Sequence, residues 1–253
     1  MPARFRTLSV ALCAVLLLST LGRAQQLAAT NAPGSTPATP AKAASSTLTS
    51  PTDAAQQMIS SAIKRMNAND TEGALNDLSQ ALKLNPNSTG ALVLRASIYC
   101  QKKQWTQAED DFKAAERIAP TNVVLKFQLV EVKFKQKQYD VARPGFLALE
   151  KDPDLLKNQP EMGDFAAYKV FLCDLLGGHE ADAKKELDAF NDAMGNPSYY
   201  FGNAAWSLVH KNTEDARSWL LSASRIYPPV KNAYYAQSLR ELGYLPLPEP
   251  GTK

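Results

Sequence analysis

Residues Trp105 to Pro120 read WTQAEDDFKAAERIAP. The stretch sets three consecutive acids, Glu109, Asp110 and Asp111, among Trp105, Phe112 and Ile118, so it reads either as an acidic site or as one helix of a repeated unit. Sliding it along the chain separates the two. The small residue Ala108 belongs to a series Ala74, Ala108, Ala142, Ala183 and Ala216, with steps of 34, 34, 41 and 33 residues. Four places further on stand Leu78, Phe112, Phe146, Leu187 and Leu220, and seven places on stand Ala81, Ala115, Leu149, Phe190 and Ala223. Residues at these intervals share one face of a helix. A Pro closes most units, at Pro86, Pro120, Pro153, Pro197 and Pro228, where its missing donor and its ring stop a helix.

Upstream of each Ala lies a second amphipathic segment, such as Leu92, Ala96 and Tyr99 or Tyr200, Ala204 and Ser207. Small residues at Ala62, Ala96, Val130 and Ala204 let two helices approach closely, so the unit is a helical hairpin. Leu92, Ala96, Tyr99, Trp105, Ala108, Phe112, Ala115 and Pro120 resemble the tetratricopeptide repeat, whose pattern of large, small and aromatic residues closes on Pro over 34 residues. Arg95 departs from the usual Leu, and Phe171 of the fourth unit stands where a small residue is expected. The resemblance implies an all-α, right-handed α-solenoid of about five hairpins over 51–229, with units near 55–88, 89–122, 123–156, 164–196 and 197–229. The 41-residue step puts extra residues near 152–163, where two prolines indicate an extended connection or extra turns on a helix starting near Pro160. A last helix over 230–243, ending at Gly243, is expected to cover the exposed apolar edge of the stack. The tail 244–253 is Pro-rich.

The first residues differ in kind. Arg4 and Arg6 precede an apolar run from Leu8 to Leu21, and the small residues Gly22 and Ala24 flank Arg23. This reads as a signal peptide over 1–24, cleaved after Ala24, because the apolar run is shorter than the ~20 residues a spanning helix needs. Cys13 follows Leu12 rather than the small residue expected before a lipid-modified Cys. Removing the segment lowers the balance from 28 basic against 25 acidic residues to 25 against 25. A near-neutral chain carries no electrostatic footprint for nucleic acid and no polybasic segment for an anionic membrane. Residues 25–50, rich in Ala, Thr, Ser and Pro, bury too little apolar surface to order themselves and read as a linker. The expected location is periplasmic or secreted, in a bacterial host.

Candidate chemistry is sparse. On a helix the acids of 109–111 point about 100° apart and cannot converge on one ion; Asp111 has a counterpart at Asp77, as a solvated outer position would. His179 and His210, the only histidines, fall near the turns of their hairpins, and no ligand set completes around them. The chain has no Gly-x-Ser-x-Gly turn, no phosphate-cradling Gly-rich loop and no dinucleotide fingerprint. Cys100 and Cys173 sit two units apart, roughly 20 Å for hairpins spaced ~10 Å, well beyond the under ~7 Å of a disulfide. No metal, cofactor or catalytic residue is expected, and the reading is non-enzymatic. Asn69-Asp70-Thr71 and Asn87-Ser88-Thr89 fit the glycosylation sequon, which matters in a eukaryotic host alone.

In the tetratricopeptide family the first helices line a concave groove in which partner peptides lie. The resemblance carries that role to Ile59, Ile63 and Met66; to Val93, Ser97 and Cys100; to Phe127, Glu131 and Phe134; to Phe165, Tyr168, Leu172 and Leu175; and to Phe201, Ala205 and Leu208. A subset of the family grips a C-terminal carboxylate with Lys, Asn and Arg here. These positions are mostly apolar, so the resemblance implies an amphipathic helix or hydrophobic segment of a partner protein instead, with Phe127, Phe134, Tyr168 and Phe201 as anchors. Filling of the groove by the chain itself is the competing expectation. A self-associating envelope assembly factor, with Tyr234 and Tyr235 at a homo-oligomer contact, is the alternative function.

Overall fold

The computed structural model describes residues 50–190 and 195–245. The expected signal peptide, nearly all of the linker and most of the tail lie outside them. The described residues form twelve helices and no strand: α1 Pro51–Asn67, α2 Thr71–Leu84, α3 Thr89–Gln101, α4 Trp105–Ile118, α5 Val123–Lys135, α6 Tyr139–Glu150, α7 Pro153–Asn158, α8 Pro160–Gly177, α9 Glu180–Ala189, α10 Ser198–Val209, α11 Thr213–Ile226 and α12 Pro229–Glu241. Side chains cap several starts. Ser50 and Asp53 form a reciprocal capping box on α1, while Asp70, Ser88, Asp152 and Asn212 accept from first-turn amides of α2, α3, α7 and α11. Asp70 and Ser88 are the middle residues of the two sequons.

One turn geometry recurs inside every hairpin. Asn69, Lys103, Lys137, Gly178 and Lys211 are all left-handed, with φ between 57° and 86°. Each lies five residues before the small Ala of its repeat, so the turns repeat with the spacing of the sequence pattern. The next residue in each donates to a carbonyl five back: Asp70 to Arg65, Gln104 to Tyr99, Gln138 to Lys133, His179 to Asp174 and Asn212 to Ser207. That bond satisfies carbonyls the first helix would otherwise leave open at its end.

The chain divides into two compact units, the second beginning at Lys126 within α5. In the first, α1 packs on α2, α2 on α3 and α3 on α4. Ala74, Leu78, Ala81, Ala108, Phe112 and Ala115 are fully enclosed, as their shared helix face requires. Asp111 corrects the sequence reading: it is buried, not solvated, and takes both Arg95 Nε and Nη2 at 2.7 Å. Arg95, at the position where the tetratricopeptide pattern carries Leu, thus meets an acid on α4. One repeat earlier Asp77 accepts from Ser61 and Arg65 of α1.

In the second unit α8 packs on α6, α7, α9 and α10, and α10 packs on α11. Gly145 marks the α5–α6 crossing, where an added Cβ would lie 2.6 Å from a Val130 methyl. The extra residues of the long step form α7, held by the fully buried Leu155, and the opening turn of α8 at Pro160. Phe171 is enclosed against Phe190 in the fourth hairpin. Gly243 is left-handed beyond α12.

Candidate functional site

The expected groove positions stand at two repeat positions of the first helices. One comprises Ile59 and Val93 in the first unit and Phe127, Tyr168 and Phe201 in the second; the other comprises Ile63 and Ser97 in the first and Glu131, Leu172 and Ala205 in the second. In the first unit Ile59, Met66 and Val93 are buried, while Ile63, Ser97 and Cys100 are half-buried. In the second unit Phe127, Glu131, Phe134, Tyr168, Leu172, Leu175, Phe201 and Ala205 are all buried; Phe165 and Leu208 are half-buried.

The cover over the second unit is α12. Its Tyr235 stacks on Phe201 at 5.5 Å between ring centroids, meets Tyr168 at 5.0 Å and turns an edge to Phe165 at 5.3 Å. Phe165 also stacks on Phe127 of α5 at 5.5 Å. Ser198 of α10 donates to the Tyr235 hydroxyl at 3.3 Å. At the other end of α12, Glu241 pairs with Lys135 of α5 at 3.1 Å. The helix packs on α10 and α11, the last hairpin, with the Asn232 amide donating to the Ala223 carbonyl of α11 at 3.0 Å, while Tyr235 reaches the rings of α8 and Glu241 reaches α5. Buried Tyr235 is closed to the homo-oligomer contact expected of it, and Tyr234 is half-buried against Phe165. The aromatics expected as partner anchors are interior too: Phe134 packs on Tyr139 and Phe146, Phe127 on Phe146 and Phe165, and Tyr168 and Phe201 on Tyr235 of α12.

Charge is built into the floor. Lys169, 1% exposed, pairs with Glu131 at 2.9 Å and lies 4.1 Å from the centre of the Phe134 ring and 5.3 Å from that of Phe165. A desolvated ammonium over two ring faces is held by their quadrupoles as well as by its carboxylate. Burial pushes Glu241 up, but Lys135 and Lys169, with a hydrogen bond from Gln237, outweigh it and hold the carboxyl below its usual range. Burial raises both tyrosines, Tyr168 well above the normal phenol and Tyr235 likewise. The Tyr168 hydroxyl and Glu131 Oε2 are buried without a hydrogen-bond partner. Sequence reasoning missed Lys169; the signal available was a lone cation in the apolar helix AAYKVFLCDLL, on the first helix neighbouring that of Glu131.

The remaining candidates do not assemble chemistry. His179 Nε2 lies 2.9 Å from Asp140, and His210 Nε2 lies 2.8 Å from Glu180, each acid standing in the first turn of a neighbouring second helix. His210 is raised by its bond to the Trp206 carbonyl and by Glu180. Arg143 pairs with buried Asp174 at 2.6 Å. Cys173 is buried and its thiol is pushed up to about 12, chiefly by desolvation. Among the described residues no disulfide forms, no group of three His, Cys, Asp or Glu could hold a metal, and no helix is long and apolar enough to cross a membrane.

No protein-family model matches the chain. Among solved structures it is similar to PilW, a widely conserved type IV pilus biogenesis factor, with TM-score 0.52 and 18% identity over 75% of this chain and 86% of that one. It also matches YrrB, a TPR protein with an unusual peptide-binding site, with TM-score 0.46 and 21% identity over 74% and 92%. A third match is Pseudomonas aeruginosa PilF, with TM-score 0.37 and 17% identity over 76% and 99%. The fold of this chain is the all-α helical-hairpin fold of tetratricopeptide proteins.

Proposed function

We propose that this chain is an exported, non-catalytic scaffold that binds an apolar or amphipathic segment of a partner protein on the inner faces of its first helices. One observation carries the reading: those faces already hold a helix, α12, by the mode in which a groove takes a partner, with aromatic contacts along one helix face. The first unit offers the accessible groove positions, Ile63, Ser97 and Cys100. Export rests on the basic, apolar and small-residue order of the first 24 residues, and a bacterial envelope is the setting that fits it.

Aspartate at Phe127 or Tyr168 would test folding rather than docking, because both are enclosed. A photoreactive residue at Ser97 is the suitable probe. Crosslinking in the native host should give one discrete adduct whose yield falls several-fold in Ile63→Asp while circular dichroism stays helical. A yield indifferent to Ile63→Asp, or no adduct, refutes groove binding in the first unit.

A second reading, a self-associating assembly factor, draws on Ile226 and Val230, which are 52% and 60% exposed where α11 gives way to α12. Light scattering decides it: a molar mass that stays monomeric as concentration rises removes this reading.

A further inference from the structure

The terminal helix has the marks of an occupant rather than of a core element. Its buried face is short, comprising Tyr235, Ala236, Ser238 and Leu239, and most of its other residues are half or fully exposed. The joint before it is Tyr227-Pro228, extended at both residues with ψ of 144° and 150°. Helix α11 ends at Ile226, and the bonds that tie α12 to that end are two, from the Asn232 amide to the carbonyls of Ala223 and Tyr227 at 3.0 and 3.1 Å, so α12 can leave by breaking them without unwinding α11. The seat is also imperfectly filled. The Tyr168 hydroxyl, on the ring that Tyr235 touches, is fully buried and makes no hydrogen bond. Buried polar atoms are normally satisfied, so a helix presenting a donor or acceptor to Tyr168 would make a bond that α12 does not.

We propose that α12 is a displaceable, built-in ligand of the second unit, and that the external ligand of this face is an amphipathic helix of the same pattern. That pattern is an aromatic residue, an apolar residue four places on and a carboxylate two places beyond it, as in Tyr235, Leu239 and Glu241. The aromatic enters the ring cluster of Phe165, Tyr168 and Phe201, and the carboxylate meets Lys135. Leaving the seat empty would expose these rings together, so α12 and the external helix exclude each other and one of them is always bound. This rests on the scaffold reading and adds the partner's chemistry and the gate that controls it.

The probe is a fluorescent peptide of residues 228–245 added to the full chain. Unaltered chain should bind it weakly, because tethered α12 competes at an effective concentration on the order of millimolar. The Tyr235→Ala/Leu239→Ala chain should bind the same peptide at least tenfold more tightly, and a peptide carrying both alanines should not bind. A folded variant that binds no better than the unaltered chain overturns the proposal, as does a variant that loses its fold, since α12 would then be part of the core. Hydrogen exchange on the unaltered chain gives an independent check. Amides of α12 should exchange at least tenfold faster than those of α8 and α10, and equal protection overturns the proposal. No host partner enters either measurement, so their failure is separable from a failed crosslink at Ser97, which would refute the scaffold reading instead.

Discussion

Replacing Lys169 by Met tests how the floor of the second unit is held together. Met keeps the length of the side chain and removes its charge, leaving Glu131 buried with neither oxygen paired, since Oε2 has no partner to begin with. Breaking a buried pair from one side costs about 3–5 kcal/mol. Lys169→Met should therefore lose roughly 3 kcal/mol at pH 7 relative to the unaltered chain. Lys169→Met/Glu131→Leu should recover to within about 1 kcal/mol, because two packed apolar residues often match a buried ion pair. Urea denaturation followed by circular dichroism gives the whole cycle. A loss under about 1 kcal/mol, or a double variant no better than the single, would each refute the account.

Two further predictions rest on the repeated turn and on the histidine edge. Lys103→Gly, Lys137→Gly and Lys211→Gly should each stabilise the chain by about 0.5–1 kcal/mol in urea denaturation, since relieving a left-handed non-glycine residue outweighs the added freedom of glycine in the unfolded chain; destabilisation would show that these exposed lysines hold their turns by contacts instead. His210 should titrate above its ordinary value in nuclear magnetic resonance and return toward it in Glu180→Gln. Its folded pKa lies above the unfolded one, so its contribution to stability is present below about pH 6.5 and is lost as pH rises through the folded value.

The hairpins were legible because the spacing recurs five times, and Ala with a large residue four places on marks the inward face of each second helix, Leu220 of α11 being the one large member left half-buried. Arg95 and Asp111 show where that reading stops. Each looked exceptional alone, one as a misplaced charge and the other as a solvated acid, and only the hairpin brings them to 2.7 Å. Lys169 hid for a related reason. Helix α8 is buried on nearly every side, so it has no polar face against which a cation would look out of place. The groove residues were legible as positions and not as surface. Periodicity states which residues share a face; it is silent on what lies over that face, and here the cover comes from α12, some seventy residues beyond Tyr168 in sequence.

The placement of α12 has a physical reason. It packs on α10 and α11, yet Trp219, Leu220 and Leu221 of α11 remain half-buried. Its seat is set instead by Tyr235, which meets three rings at 5.0–5.5 Å, and aromatic pairs contribute about 0.5–1.5 kcal/mol each beyond their buried area. The groove positions are aliphatic or small in the first unit, at Ile59, Ile63, Val93, Ser97 and Cys100, and aromatic in the second, at Phe127, Tyr168 and Phe201.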